Sequence, residues 1–274
     1  MERRWLITGC SSGLGRSLAA AAAAAGDYVL ATARKPAALS ELVDAHPGWV
    51  TTAALDIRDP AQCEAAVAAA VDRLGGLDVL VNNAGSGLFG VVEEISDDEL
   101  RDQLETLVVG PWRLARLVLP VMRSQRTGHI VNVSSLAGRM AFPGLASYVA
   151  GKYALEGMSQ ALAAEAAPLG VRVTVLEPGG FATGYGSALA EAAARIPAYA
   201  PVTEPMFAAL RGMAGDASLG RPEDFAQQVL RVVAAEHGPV RIPVGADAFA
   251  YLDAAEQAAR AELAEARAFG PDGA

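Results

Sequence analysis

Thr8-Gly9-Cys10-Ser11-Ser12-Gly13-Leu14-Gly15 stands between an apolar run at 5–8 and an alanine-rich stretch over 14–25. Glycines at such a point allow a tight turn and let the backbone approach a pyrophosphate closely. A helix opening directly behind them offers free N–H donors and a partial positive charge. An ordinary βα turn can look the same, so the context decides: a strand before, a helix after, and a βαβ series beyond. Gly9, Ser11, Ser12, Gly13, Leu14 and Gly15 are then the candidate phosphate-binding residues.

The chain supplies that series. Short apolar runs recur at 28–33, 50–56, 77–81, 129–133 and 171–176, separated by helical stretches near 37–45, 60–74, 96–124 and 146–167. Runs of strand length alternating with longer helical segments indicate parallel βαβ units, whose right-handed crossovers build a doubly wound sheet with helices on both faces. Strict alternation is missing from the strands, as a sheet buried on both sides requires. After Pro178-Gly179-Gly180 the rhythm breaks, and 182–220 reads as a lid or binding loop without a clear strand. A helix over 222–236, a seventh strand at 240–244 and a surface helix over 247–268 complete the chain. The last carries Leu252, Ala255, Ala259, Leu263 and Ala266 on one stripe. No linker or repeat divides residues 1–274, so a single Rossmann-type α/β domain of about seven strands is expected.

Composition narrows the function. The longest uniform apolar stretch, seven alanines at 19–25, is far short of the ~20 residues a bilayer span requires. Arg3 and Arg4 precede too short an apolar segment for a secretory signal. Cys10 and Cys63 form no disulfide framework and lack metal-type spacing, so two reduced thiols in a cytoplasmic protein and no metal are expected. A net charge of -9 argues against a nucleic-acid partner.

The end of the second strand bears on the coenzyme. A carboxylate there would bond the adenosine 2′-hydroxyl and repel a 2′-phosphate. The chain reads Ala31-Thr32-Ala33-Arg34-Lys35 instead. Arg34 can grip a phosphate bidentately and Lys35 adds a point charge, which predicts NADP(H) rather than NAD(H).

The fifth strand closes with Asn132-Val133-Ser134-Ser135, and the next helix carries Ser147-Tyr148-Val149-Ala150-Gly151-Lys152. Tyr148 and Lys152, four apart, share one helical face. An ammonium beside the phenol would lower its pKa and fit it to act as general acid to a carbonyl oxygen or general base to an alcohol. Ser135, at the carboxyl end of a parallel strand, would bond the same oxygen. Of the 22 basic residues only Lys35 and Lys152 are lysines, so Lys152 in a small-residue helix start asks for a specific reason.

With Asp56, Asn82-Asn83-Ala84-Gly85 and Pro178-Gly179 added, these motifs span most of the chain, which resembles the single-domain branch of the short-chain dehydrogenase/reductase family. The resemblance implies hydride transfer between a nicotinamide and a carbonyl or secondary alcohol. It assigns Asp56 and Ile57 to the adenine and Asn83, Ala84 and Gly85 to the adenosine ribose, with Asn82 bracing the sheet. Tyr148 would be the acid/base, Lys152 would also hold the nicotinamide ribose, and Ser135 would polarise the substrate carbonyl. Pro178, Gly179, Phe181 and Thr183 would flank the nicotinamide. One position departs: where the family usually has a catalytic asparagine, in the fourth helix, this chain has Leu107. The asparagine is inferred to hold a water that resupplies protons to the lysine, which a leucine cannot do. Proton supply by another route, a slowed enzyme, or a site used for something other than redox turnover are the three readings this leaves.

Leu88, Phe89, Met140, Phe142, Tyr185, Met206, Phe207 and Met213 give the substrate segments an apolar character, with few cations beside Arg139, Arg195 and Arg211. A sizeable hydrophobic ketone or secondary alcohol suits them. Three functions stay open. They are an NADP(H)-dependent carbonyl reductase, a non-redox isomerase, cyclase or dehydratase on the same fold, and a non-enzymatic NADP(H) sensor. A homodimer or homotetramer is expected through the family's fourth- and fifth-helix interface, given Leu104, Leu107, Val108, Trp112, Leu114, Leu117, Val118 and Val121.

Overall fold

The first strand, β1 (Arg4–Ile7), is buried on both sides, and its residues divide accordingly. Trp5 and Ile7 enter one hydrophobic cluster and Leu6 enters another. That two-sided burial accounts for the missing alternation in the sequence. The computed structural model describes residues 2–213, 216 and 218–270; Ala214, Gly215 and Ala217 of the expected loop lie outside the described residues.

From β1 the chain runs through α1 (Gly13–Ala24), β2 (Tyr28–Ala33), α2 (Ser40–Ala45), β3 (Val50–Ala54), α3 (Pro60–Leu74) and β4 (Val79–Asn82). It continues through β5 (Leu88–Phe89), α4 (Asp97–Leu104), α5 (Gly110–Gln125), β6 (Gly128–Val133), α6 (Ala146–Ala166) and β7 (Val171–Pro178). It ends with α7 (Tyr185–Ala188), β8 (Ala190–Glu191), α8 (Ala200–Gly212), α9 (Pro222–Ala234), β9 (Arg241–Val244) and α10 (Ala246–Ala266). Seven strands form one parallel sheet in the order β3-β2-β1-β4-β6-β7-β9. This is the doubly wound α/β architecture the alternation predicts. On one face the alanines of α1 let Phe225, Val229 and Val233 of α9 pack closely. On the other, α3, α5 and α6 cover Leu6, Leu30, Leu80 and Ile130. Each fully buried large side chain contributes roughly 1.5–3 kcal/mol.

Three elements differ from expectation. The single helix expected over 96–124 is broken: after a Ser96/Glu99 capping box and α4, residues Glu105–Val109 form a π-turn before α5. The apolar period continues through such a turn, so sequence pattern does not reveal it. The segment 182–220 contains β8, which pairs in parallel with β5, and the 13-residue α8. Pro201 and Pro205 disguised that helix: Pro201 stands in the first turn, where a proline forfeits no hydrogen bond, but Pro205 lies inside it. Finally, the stripe on α10 is buried only at its start, at Ala248 and Leu252, while Leu263 is 61% exposed.

Candidate active site

The sheet order turns between β1 and β4, and a cleft of about 720 Å³ opens there, over the carboxyl ends of the strands. This is where open parallel sheets place ligands. The glycine turn forms its floor. Gly9 and Gly13 have φ of +74° and +56°, conformations that favour glycine. A Cβ on Gly9 would come within 2.9 Å of the Ala84 backbone. The Thr8 hydroxyl accepts from the backbone N–H groups of Asn83 and Ala84, both at 2.9 Å, and the Asn83 amide donates to the Thr8 carbonyl at 2.9 Å. Turn and β4 end are thereby stapled together. Ser12 makes no side-chain cap on α1, and the first turn of that helix holds no acidic residue. Ser11, Ser12, Gly13 and Leu14 line the cleft there, so its N–H groups suit an anion. Gly15 does not line the cleft; it is buried where a Cβ would strike the Gly9 carbonyl and the Asn83 amide. Its place is close helix–strand packing rather than ligand contact.

At the adenosine end, Arg34 lines the cleft, exposed and without an ion pair among the described residues. Lys35 does not line it. That residue is exposed and stands at the start of a 3₁₀ turn at Pro36–Leu39. Asp56 and Ile57 both line the cleft, but the Asp56 carboxylate is gripped by Arg58 through bonds of 3.0 and 2.8 Å. That guanidinium holds Asp56 below the usual carboxylate range. Arg58 lines the cleft too and lies 3.7 Å from Asp102. Sequence reasoning missed it, because a lone arginine two residues after Asp56 carries no pattern.

At the other end, the Asn82 amide donates to Asn132, which donates to the Ser159 hydroxyl, both at 2.8 Å. This chain of side chains fixes α6 against the sheet, so Asn82 braces as expected. Ser135, Tyr148, Lys152, Pro178, Gly179, Phe181 and Thr183 line the cleft together with Asn83, Ala84 and Gly85. Ser135 caps a 3₁₀ turn, accepting from Ala137 N at 3.1 Å. Thr183 lies 3.6 Å from the position of a Cβ on Gly13, next to the glycine turn. Tyr148 and Lys152 are 8% and 6% exposed, and Lys152 Nζ stands 5.6 Å from the Tyr148 ring centre. The ammonium donates to the Val133 carbonyl at 2.8 Å.

The electrostatics differ from the sequence expectation. Burial pushes the Tyr148 phenol up, and the hydroxyls of Ser135 and Tyr185 only partly offset this. Burial also disfavours the ammonium, pulling Lys152 down to about 8. Leu107, in the π-turn, is buried: its side chain lies 3.2 Å from a Cβ position on Gly85 and 2.8 Å from one on Gly151. An apolar wall therefore stands on that side of Lys152.

Of the apolar substrate set, Phe142, Tyr185, Met206 and Met213 line the cleft, joined by Leu145 and Leu210. Leu88, Phe89, Met140 and Phe207 do not; Phe89 and Phe207 stack on each other at 4.7 Å and hold the lid to the body. A further residue missed in the sequence is Asp247 of α10, which accepts from Gly180 N at 2.7 Å and pins the turn after Pro178. Their separation of 67 positions leaves no sequence signal.

Fold and cleft together define a doubly wound α/β protein with a cleft at the carboxyl ends of its strands. Comparison with known proteins makes the class specific. The short chain dehydrogenase family matches residues 3–194. The chain is 38% identical over 258 residues to an oxidoreductase, BOA17, of Botryotinia fuckeliana, covering 94% of each. A short-chain dehydrogenase from Streptomyces avermitilis superposes with a TM-score of 0.90 at 40% identity, over 98% of this chain and 97% of that one. A Burkholderia phymatum enzyme in complex with NAD gives 0.79 at 26% identity, over 88% of each chain. A metagenomic short-chain oxidoreductase in complex with NADP gives 0.71 at 25%, over 89% of this chain and 97% of that one. The chain belongs to the short-chain dehydrogenase family.

Proposed function

We propose that this protein is an NADP(H)-dependent carbonyl reductase, working between a hydrophobic ketone and the corresponding secondary alcohol. The observation that carries the reading is convergence: the hydroxyls of Ser135 and Tyr148 meet in one cleft with Lys152 behind them, at the end away from Arg34. The coenzyme side fits this chain's donors. The uncapped start of α1 suits a pyrophosphate, and Arg34, with no carboxylate at the end of β2, suits a 2′-phosphate. Asp56 is no obstacle, because Arg58 neutralises it.

When bound, the dihydronicotinamide supplies the hydride. Ser135 and Tyr148 orient the ketone oxygen, and Tyr148 gives it a proton as negative charge develops. Lys152, fixed by the Val133 carbonyl, holds the proton that restores the phenol. Phe142, Leu145 and Met206 exclude water around an apolar substrate. A second reading, a non-redox proton-transfer reaction, is favoured by Leu107. Assays of coenzyme absorbance with a panel of hydrophobic ketones separate the two: net NADPH oxidation supports reduction, and product without coenzyme consumption supports the second reading.

We further propose a homodimer or homotetramer, although Leu107, Leu114 and Val118 of the expected interface serve the core instead. Trp112, 57% exposed, and Val109 are the apolar residues that α5 and the π-turn leave for a partner. No helix among the described residues is long and apolar enough to cross a membrane; Cys10 and Cys63 are free and buried, in keeping with a cytoplasmic protein.

A further inference from the structure

Two carboxyl groups behind Lys152 have no part in the chemistry above. Glu156 follows Lys152 by one turn of α6, and Glu177 lies on β7; they are 4% and 0% exposed. Among the described residues, neither oxygen of either group has a hydrogen-bond partner, nor has the Ser134 hydroxyl at the end of β6. Buried polar groups are normally paired, so these groups, of which Glu177 alone has an ion-pair partner, need a reason. Ser134 and Glu156 share one space: a Cβ on Gly138 would meet Ser134 Oγ at 2.6 Å and Glu156 Oε1 at 3.0 Å.

Beyond them lies a second cavity, of about 480 Å³, lined by Glu177, Gln160, Arg139, Arg241 and Pro239. Arg241 and Pro239 are exposed, so this cavity leads from the surface to the buried Glu177. The Arg139 guanidinium stands 3.6 Å from Glu177 and 2.7 Å from Glu256 of α10. On the opposite side of Lys152 the way out is closed by Leu107, packed on Gly85 and Gly151.

We propose that Glu156, backed by Ser134, Glu177 and the cavity at β7 and β9, is the positioning residue that resupplies protons to Lys152, replacing a route past position 107. The proposal rests on the reading of Tyr148 and Lys152 as the acid pair of a reductase. After Tyr148 has lost its proton to the ketone oxygen, an N–H bond of Lys152 breaks as the phenol O–H reforms. The Glu156 carboxylic acid then protonates the amine, and its carboxylate takes a proton from water entering past Glu177. The net change is one proton from solvent to product, with no further oxidant or reductant.

The charges facing Glu156 suit this role. Burial pushes its carboxyl up to about 7, with Glu177 of β7 adding to the rise and Ser134, Arg139 and Arg241 opposing it. Lys152, on its own helix, is drawn down to about 8. The donor and acceptor thus have nearly matched affinities for a proton near neutral pH.

Glu156→Gln keeps size and burial but cannot give up a proton. In the full-length enzyme with NADPH, kcat for ketone reduction is expected to fall about 10-fold or more at pH 7–8. KM for both substrates should stay within about twofold, and the ionisation near 7 should vanish from the pH profile. Leu107→Asn added to Glu156→Gln should restore part of the lost rate, which a purely structural defect would not allow. Carbon-13 titration of protein labelled at the glutamate carboxyls gives a readout that needs no turnover: one carboxyl should titrate near pH 7 and be missing in Glu156→Gln. An unchanged kcat and pH profile in Glu156→Gln, or no glutamate titrating near neutrality, overturns the proposal. Should no ketone be reduced by the unaltered enzyme, the reductase reading falls, and the titration alone decides whether Glu156 is a solvent-linked proton store.

Discussion

Tyr148 and Lys152 are one helical turn apart, yet burial moves their proton affinities in opposite directions, up for the phenol and down for the amine. Spacing made the pair legible in the sequence; its electrostatics were not, because desolvation depends on what the rest of the chain packs around it. Tyr148→Phe removes the proton donor while keeping the ring, and should lower kcat about 100-fold or more with little change in KM for NADPH. Arg34 was legible for a similar reason, as the residue following a strand. Arg34→Glu should raise KM for NADPH about 10-fold or more and leave that for NADH nearly unchanged, which steady-state kinetics would check. Glu156 also has a consequence for stability. Its folded pKa lies above the unfolded value, so the folded state binds the extra proton between about 4.5 and 7, and stability falls as pH rises through that window. Glu156→Gln should therefore be more stable than the parent at pH 8, by about 1–3 kcal/mol, and nearly equal to it at pH 4, in denaturant titrations at the two pH values.

The elements show where local pattern stops being informative. The seven strands of the main sheet and the helices α1, α3, α6 and α9 follow from apolar periodicity and their flanking signals. The π-turn at Glu105–Val109 does not, since its apolar residues keep a helical rhythm while one extra residue enters the turn. It sets Leu107 between Gly85 and Gly151, where sequence counting had already found the departure from the family. Leu107→Asn exchanges this buried apolar side chain for a polar one and should cost roughly 1–3 kcal/mol in thermal or denaturant unfolding. The lid shows the same limit: β8 exists because β5 lies beside it, and two residues carry no period of their own. Asp247 joins the last helix to the Pro178–Gly180 turn. Asp247→Ala leaves the Gly180 N–H unpaired, and should destabilise by about 1–3 kcal/mol while raising KM for the coenzyme.

Across the whole molecule, one parallel sheet places the glycine turn, the end of β2 and the start of α6 around a single cleft, although they are far apart in the chain. The order of elements and the sequence motifs were enough to anticipate that convergence. Gly15 marks its limit, for adjacency in sequence put it with the ligand-facing residues and packing took it away, while the exposed Lys35 does not line the cleft. The account stands on hydride delivery coupled to the Tyr148 proton. Reduction of a hydrophobic ketone with NADPH deuterated at the transferring position, followed by mass spectrometry of the alcohol, tests this directly. The predicted result is one deuterium in the product from the parent enzyme and almost no product from Tyr148→Phe. A product free of deuterium, or equal turnover by the two proteins, would contradict it.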